Sequence, residues 1–244
     1  AGIDFEDPHG VEEHAARIRE AVEHAKMPKE LAAEIRVRYE KMGKQAVAVR
    51  SSATAEDLHS ASFAGQLETY LNVKGARNVA EAVKKCYASL WSGRVIAYAK
   101  RSGLDAGDAK MAVLIQQMVP SKSAGVMFTV SPLSTDGSEF LIESTLGLGE
   151  ALVSGRAIPD KYVLARNVDG TFKILAKEIS AKKTVAQGTG KGIEYVELDT
   201  VEGSKPSLSD EQALKLSELG QKIQTIMGTP QDIEWAIGAE DGVY

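Results

Sequence analysis

Apolar and polar positions along the chain alternate with two different periods, and the switches between them mark its elements. Residues 11–25 and 29–42 repeat apolar positions at helical spacing and predict two helices, separated at Met27 and Pro28 because proline interrupts the hydrogen-bond ladder. Ala46, Val47, Ala48 and Val49 form a short apolar run with β-branched residues at alternate positions, the pattern of a strand covered on both faces. Residues 66–73 resume a period of two and read as the returning strand. The clearest helical pattern spans 78–100, where Val79, Val83, Cys86, Leu90 and Ala97 make one stripe and Arg94 takes a slot within it. Further strands are predicted at 111–119, 123–129, 139–145, 161–165, 171–176, 194–198 and 230–237. Residues 209–227 form an amphipathic helix with Asp210 and Glu211 at its start, where carboxylates suit the dipole. Its expected inward residues are Leu214, Leu219, Ile223 and Ile226, and Gly228 ends it.

The stretch 47–73 carries the most unusual residue choices. Arg50 stands at the exit of an apolar strand, where a guanidinium is costly unless a carboxylate or phosphate meets its donor fork. It is therefore a structural ion pair or an anion clamp. The following residues favour the clamp: Ser51, Ser52, Thr54, Ser60 and Ser62 supply hydroxyls. Ala53, Ala55, Ala61, Ala64 and Gly65 keep the backbone accessible to a ligand. Arg94 poses the same choice, since on a core-facing stripe it needs an anion, either a carboxylate such as Glu68 or a phosphate.

Composition narrows the classes. The 244 residues are 43% hydrophobic and 26% charged, as in an ordinary globular chain. A net charge of −5 argues against a general nucleic-acid binder. A single cysteine, Cys86, fits a reducing compartment, no apolar run is long enough for a membrane span, and the cytoplasm is the expected location. A start at Ala1 and an end at Tyr244 inside a predicted strand read as a fragment. His14 and His24 are too far apart in sequence to stack on adjacent turns, so surface positions suit them better than a metal site. Lys177, Lys182, Lys183 and Lys191 lie among the connections of the later strands and read as a solvated basic edge.

Near the end, Asp232 and Glu234 fall on the same face of a predicted strand, about 7 Å apart, with Ile233 and Trp235 directed to the core. A half-exposed strand shows that pattern, and so does a pair of hard oxygen ligands for Mg²⁺. Gly147, Gly149 and Glu150 open a helical run, a weak phosphate-binding signal by themselves.

The string VRSSATAEDLHSASFAGQLETYLNV at 49–73 resembles the ATP-grasp nucleotide-binding domain of the phosphoenolpyruvate synthase family, which includes pyruvate phosphate dikinase and rifampin phosphotransferase. His59 stands where proline is usual, and Ser52, Ala53 and Thr54 point away from the dikinase branch, which resembles VRSGA here. The strings SLWSGRVIAY, SAGVMFT, GLGEALVSG with Pro159 and Asp160, and DIEW follow in family order.

The resemblance implies an α+β ATP-grasp fold of two subdomains enclosing a nucleotide cleft, with residues 1–110 in a partial N-terminal subdomain and 111–244 in a C-terminal one truncated at its end. It implies ATP and Mg²⁺ as cofactors. Arg50 and Arg94 would act catalytically on the transferred phosphoryl group. Arg50, Thr54, Gly65 and Gln66 would hold the nucleotide phosphates, and Gln117, Met118 and Val119 would form the hinge that meets adenine. Glu150 would contact ribose or metal-bound phosphate, and Asp232 and Glu234 would hold the metal. The family's upstream lysine loop has no counterpart before Val11, and no histidine stands beside a Thr/Ser-Gly-Gly loop. The swivelling phosphohistidine domain and the acceptor domain are accordingly expected outside this chain. The expected chemistry is phosphoryl transfer from ATP to that histidine and on to pyruvate, or to rifamycin in the antibiotic branch, with the fragment alone inactive. A non-catalytic nucleotide-binding or structural fragment is the reading of another class.

Overall fold

The apolar run at 47–49 becomes the middle strand of an antiparallel sheet in the computed structural model, which describes residues 5, 7–53, 67–102, 110–132, 134, 137–189 and 192–244. The chain divides into two compact units, one reaching Met118 and including the short stretch Thr189–Gly192, the other made of Val119–Gly188 and Ile193–Tyr244.

In the first unit, helices α1 (Pro8–His24) and α2 (Lys29–Lys41) precede strand β1 (Val47–Ala53). Strand β2 (Thr69–Val73) returns beside β1, and helices α3 (Ala76–Ser89) and α4 (Gly93–Arg101) lead to β3 (Met111–Gln117) on β1's other side, giving the order β2-β1-β3. Because β3 pairs with β1 along its whole length, the unit runs through Met118, past the division at residue 110 read from the sequence. Val47 and Val49 meet Ile35, Tyr39, Val79, Val83 and Cys86 in one apolar cluster. The opposite face keeps Ala48 buried, as expected for the apolar run, and opens beyond it, where Leu114 and Ala112, paired with Arg50 and Ser52, are exposed.

The single helix expected at 78–100 is two. Ser92 caps α4 by accepting from the Val95 N–H, Gly93 N donates to Glu12 Oε2 at 3.0 Å, and the chain turns at Leu90–Ser92. Val79, Val83, Cys86 and Leu90 are buried as predicted, but the inward residues then change phase to Val95, Ile96 and Ala99. Arg94 therefore leaves the stripe and is exposed at the start of α4.

In the second unit a five-stranded antiparallel sheet has the order β10-β4-β5-β6-β7, from β4 (Ser121–Phe128), β5 (Glu139–Leu146), β6 (Asp160–Arg166), β7 (Phe172–Glu178) and β10 (Asp232–Gly238). Helix α5 (Glu150–Val153) follows β5, while β8 (Thr184–Thr189) and β9 (Gly192–Glu197) form a separate two-stranded pair. A short helix α6 (Thr200–Gly203) precedes α7 (Asp210–Met227). Met127, Ile142, Tyr162, Leu164, Trp235 and Ile237 point to one face and pack with Leu208, Ala213 and Leu216 at the start of α7. Ser209 and Gln212 close that helix start reciprocally as a capping box.

Two sequence expectations fail here. Of the expected inward residues of α7, Leu214 packs against the core, but the fully buried positions are Ala213, Leu216, Ser217 and Gly220, and Ile223 and Ile226 are exposed, the latter at 82%. Lys182 is not part of a solvated edge: its side chain is fully buried, 2.6 Å from Asp160 Oδ1. That oxygen also accepts from Ser180 N, and Oδ2 accepts from Ser207 N and Oγ at 2.7 and 2.6 Å. Burial alone would raise the Asp160 pKa, but the Lys182 ammonium and the Ser207 and Ser180 donors outweigh it and hold the carboxyl below its ordinary value.

Candidate functional site

In the first unit Arg50 is half-buried near the middle of β1, paired in register with Thr69 and Leu114. Arg94 sits in the first turn of α4. Thr54, Gly65 and Gln66 lie outside the described residues. At the end of β3, Gln117 Nε2 donates to the Met42 carbonyl at 2.8 Å, and the Met118 N–H donates to the Ala46 carbonyl at 2.9 Å. The Met118 amide is thus committed to the fold.

The second unit gathers the remaining candidates around one face of its sheet. Register places Asp232, Glu234 and Ala236 on the face opposite the α7 core, together with Phe128, Val126 and Ala124 of β4. Asp232 and Glu234 are exposed on this edge strand, while Trp235, the residue after Glu234, is buried at 5%. The same-face placement read from the sequence is what the backbone gives. Val119 packs near Gly238 at the far end of β10.

The segment from Gly147 to Glu150 is fixed on one side to this sheet and on the other to β8. Gly147 N donates to the Lys122 carbonyl and Leu148 N to the Ala186 carbonyl, at 2.8 and 2.9 Å, and Ser121 Oγ donates to the Gly147 carbonyl. Gly147 has φ +70°, and any Cβ there would lie 2.5 Å from the Ala186 oxygen, so the turn requires glycine. Gly149 comes next to Ala124, which brings the turn onto the face that carries Asp232 and Glu234. Glu150 opens α5, and burial raises its pKa against the lowering influence of Arg156, which stacks on Tyr195 at 4.3 Å.

The donor set suits a hard cation held partly by its ligand. Asp232 and Glu234 offer carboxylate oxygens on one rigid strand, and no group of three or more carboxylate, histidine or cysteine side chains able to hold a metal exists among the described residues. Two protein oxygens completed by phosphates and water is the coordination Mg²⁺ favours. His9, His14 and His24 are exposed, the last two against backbone carbonyls of their own helix, consistent with surface positions.

Over residues 1–244 the chain matches the family described as the AMP/ATP-binding domain of pyruvate phosphate dikinase, and it belongs to that family. It is 43% identical over 252 residues to a probable phosphoenolpyruvate synthase of Pyrococcus horikoshii and 45% identical over 241 residues to one of Archaeoglobus fulgidus. It is 39% identical over 238 residues to a rifampicin phosphotransferase of Streptomyces sviceus. These alignments cover 97%, 96% and 97% of the chain but only 30%, 31% and 27% of the relatives, so the chain spans less than a third of their length. No described helix is long and apolar enough to cross a membrane.

Proposed function

We propose that the chain is the MgATP-binding domain, of ATP-grasp type, of a phosphoenolpyruvate synthase-like phosphotransferase. The observation that carries the reading is the pair Asp232 and Glu234, exposed together on one face of an edge strand within a domain of an AMP/ATP-binding family. In this reading the two carboxylates hold Mg²⁺, which supplies charge neutralisation to the phosphates when bound. Arg50 and Arg94 offset the charge that develops on the transferred phosphoryl group. Thr54, Gly65 and Gln66 contribute to phosphate binding, and Gln117, Met118 and Val119 form the adenine hinge. Glu150 lies within the nucleotide-binding turn. The phosphoryl group passes to a histidine of a separate domain and then to pyruvate. Identity to phosphoenolpyruvate synthases of several archaea places this branch first, and the 39% identity to a rifampicin phosphotransferase keeps rifamycin as the alternative acceptor.

Calorimetry and thermal unfolding with MgATP test the reading. Asp232→Asn with Glu234→Gln removes the anionic ligands and keeps side-chain shape, so the unliganded melting temperature should stay nearly unchanged. The stabilisation given by MgATP should be lost, as linkage requires when affinity falls. A double variant stabilised as strongly as the parent would return both residues to the surface of an ordinary strand.

A further inference from the structure

Beyond the metal pair, the same sheet face carries a carboxylate that the sequence did not single out. Register sets Glu234 opposite Val126, Val126 opposite Glu143, Glu143 opposite Lys161, and Lys161 opposite Glu178, so one row of side chains crosses all five strands on a single face. Glu143 is separated from Glu234 by one intervening strand, about 10 Å between backbones, and the residue between them is apolar. Lys161 Nζ stands 3.5 Å from Glu143 Oε1, with Glu143 the more buried partner at 24% side-chain exposure. A carboxylate has some four acceptor sites, and a single ammonium at that distance leaves most of them open. Two residues further along the same strand and face, Thr145 is fully buried and its hydroxyl has no hydrogen-bond partner among the described residues. Gly149 closes this end of the face at Ala124.

We propose that Glu143 accepts hydrogen bonds from the ribose hydroxyls of the nucleotide whose phosphates are held at Asp232 and Glu234, with Lys161 as its positioning residue. The inference rests on the MgATP reading and extends it. Other roles fit the chemistry less well. An anion would repel the phosphates, and Glu143 does not join Asp232 and Glu234 in a three-carboxylate metal cluster. A vicinal diol is a pair of donors, which suits a half-buried carboxylate one strand beyond the metal site.

The test compares binding of MgATP and of 2′,3′-dideoxy-ATP to the whole chain by calorimetry, in wild type, Glu143→Gln and Lys161→Gln. Wild type should prefer ATP by about tenfold or more, the scale of a charge-assisted hydrogen bond. E143Q should bind both nucleotides within about twofold of each other, with wild-type affinity for the dideoxy form, which also reports that the variant is folded. K161Q should fall between the two. An undiminished preference for ATP in E143Q, or an equal loss for both nucleotides, overturns the assignment. Wild-type preference in K161Q overturns the positioning role. Failure of the wild-type chain to bind either nucleotide defeats the MgATP reading itself, and this inference with it.

Discussion

Asp160 and Lys182 show how a single charged residue can be misread from sequence. Lys182 stands in a polar stretch, KEISAKK, and nothing within that stretch announces that its ammonium will be fully buried against a carboxylate 22 residues away. The pair fastens the start of the β8 segment, since Lys182 N also donates to the Gly203 carbonyl and Ala186 of β8 holds Leu148. Removing one partner of a buried pair leaves an uncompensated charge, so Lys182→Met should cost about 3–5 kcal/mol at pH 7. The pH dependence has a definite sign. In wild type the lowered pKa of Asp160 means its contribution is present above the ordinary carboxyl value near 4 and is lost as pH falls through the folded value. In K182M the carboxylate is buried without its cation, its folded pKa rises, and its penalty shrinks as acid protonates it. Urea unfolding at pH 7 and pH 5 should therefore find the two proteins closer in stability at the lower pH. A gap that stays constant or widens on acidification would exclude charge burial as the cause.

At the scale of elements, strands were legible where period two survives and helices where one phase holds throughout. β5, β6, β7 and β10 follow their predicted ranges closely because buried and exposed residues alternate within them or fill an apolar run, whereas β1 continues past its apolar run through Arg50 to Ala53. The break between α3 and α4 was not legible, because Val83, Cys86, Leu90, Arg94 and Ala97 keep helical spacing across it and only a Ser-Gly pair marks the cap. β8, with Gln187 and Gly188 in a six-residue strand, lacks the β-branched pattern that would announce it. In the candidate site, Asp232 and Glu234 were readable from two-residue spacing, whereas Glu143 carries no local signal and gains its relevance only from cross-strand register. Gly125 allows that register: a Cβ there would run into the Glu143 carbonyl and lie 2.7 Å from Trp235 Cζ2. The end of α7 offers a direct check of helix phase. Ile226→Lys should change stability by less than about 0.5 kcal/mol, as at an ordinary surface position. Leu216→Ala, one face around on the same helix and 1% exposed, should cost about 2–5 kcal/mol by chemical denaturation. Comparable losses from the two substitutions would mean that Ile226 is covered in solution.

For the whole molecule, binding a nucleotide and completing a phosphoryl transfer make different demands on the residues available. The candidates gathered in the second unit are carboxylates and a glycine turn, suited to holding a metal–phosphate group, and those in the first include two guanidinium groups suited to charge compensation. Neither set supplies the nucleophile that the proposed reaction requires. Of the four histidines, His9, His14 and His24 are exposed, with His14 and His24 against carbonyls of α1, and His59 falls in a serine- and alanine-rich string without a Thr/Ser-Gly-Gly neighbour. The relatives named for complete reactions are more than three times as long as the stretch this chain matches. The expected behaviour of the isolated chain is therefore MgATP binding without product. Incubation with MgATP and pyruvate, and separately with MgATP and rifampicin, should give no phosphoenolpyruvate and no phosphorylated antibiotic by phosphorus NMR or mass spectrometry. The same sample should still show nucleotide-dependent thermal stabilisation, which separates an idle binding domain from an unfolded one. Formation of either product by the purified chain would place both carrier and acceptor chemistry within these 244 residues and overturn the proposed division of labour.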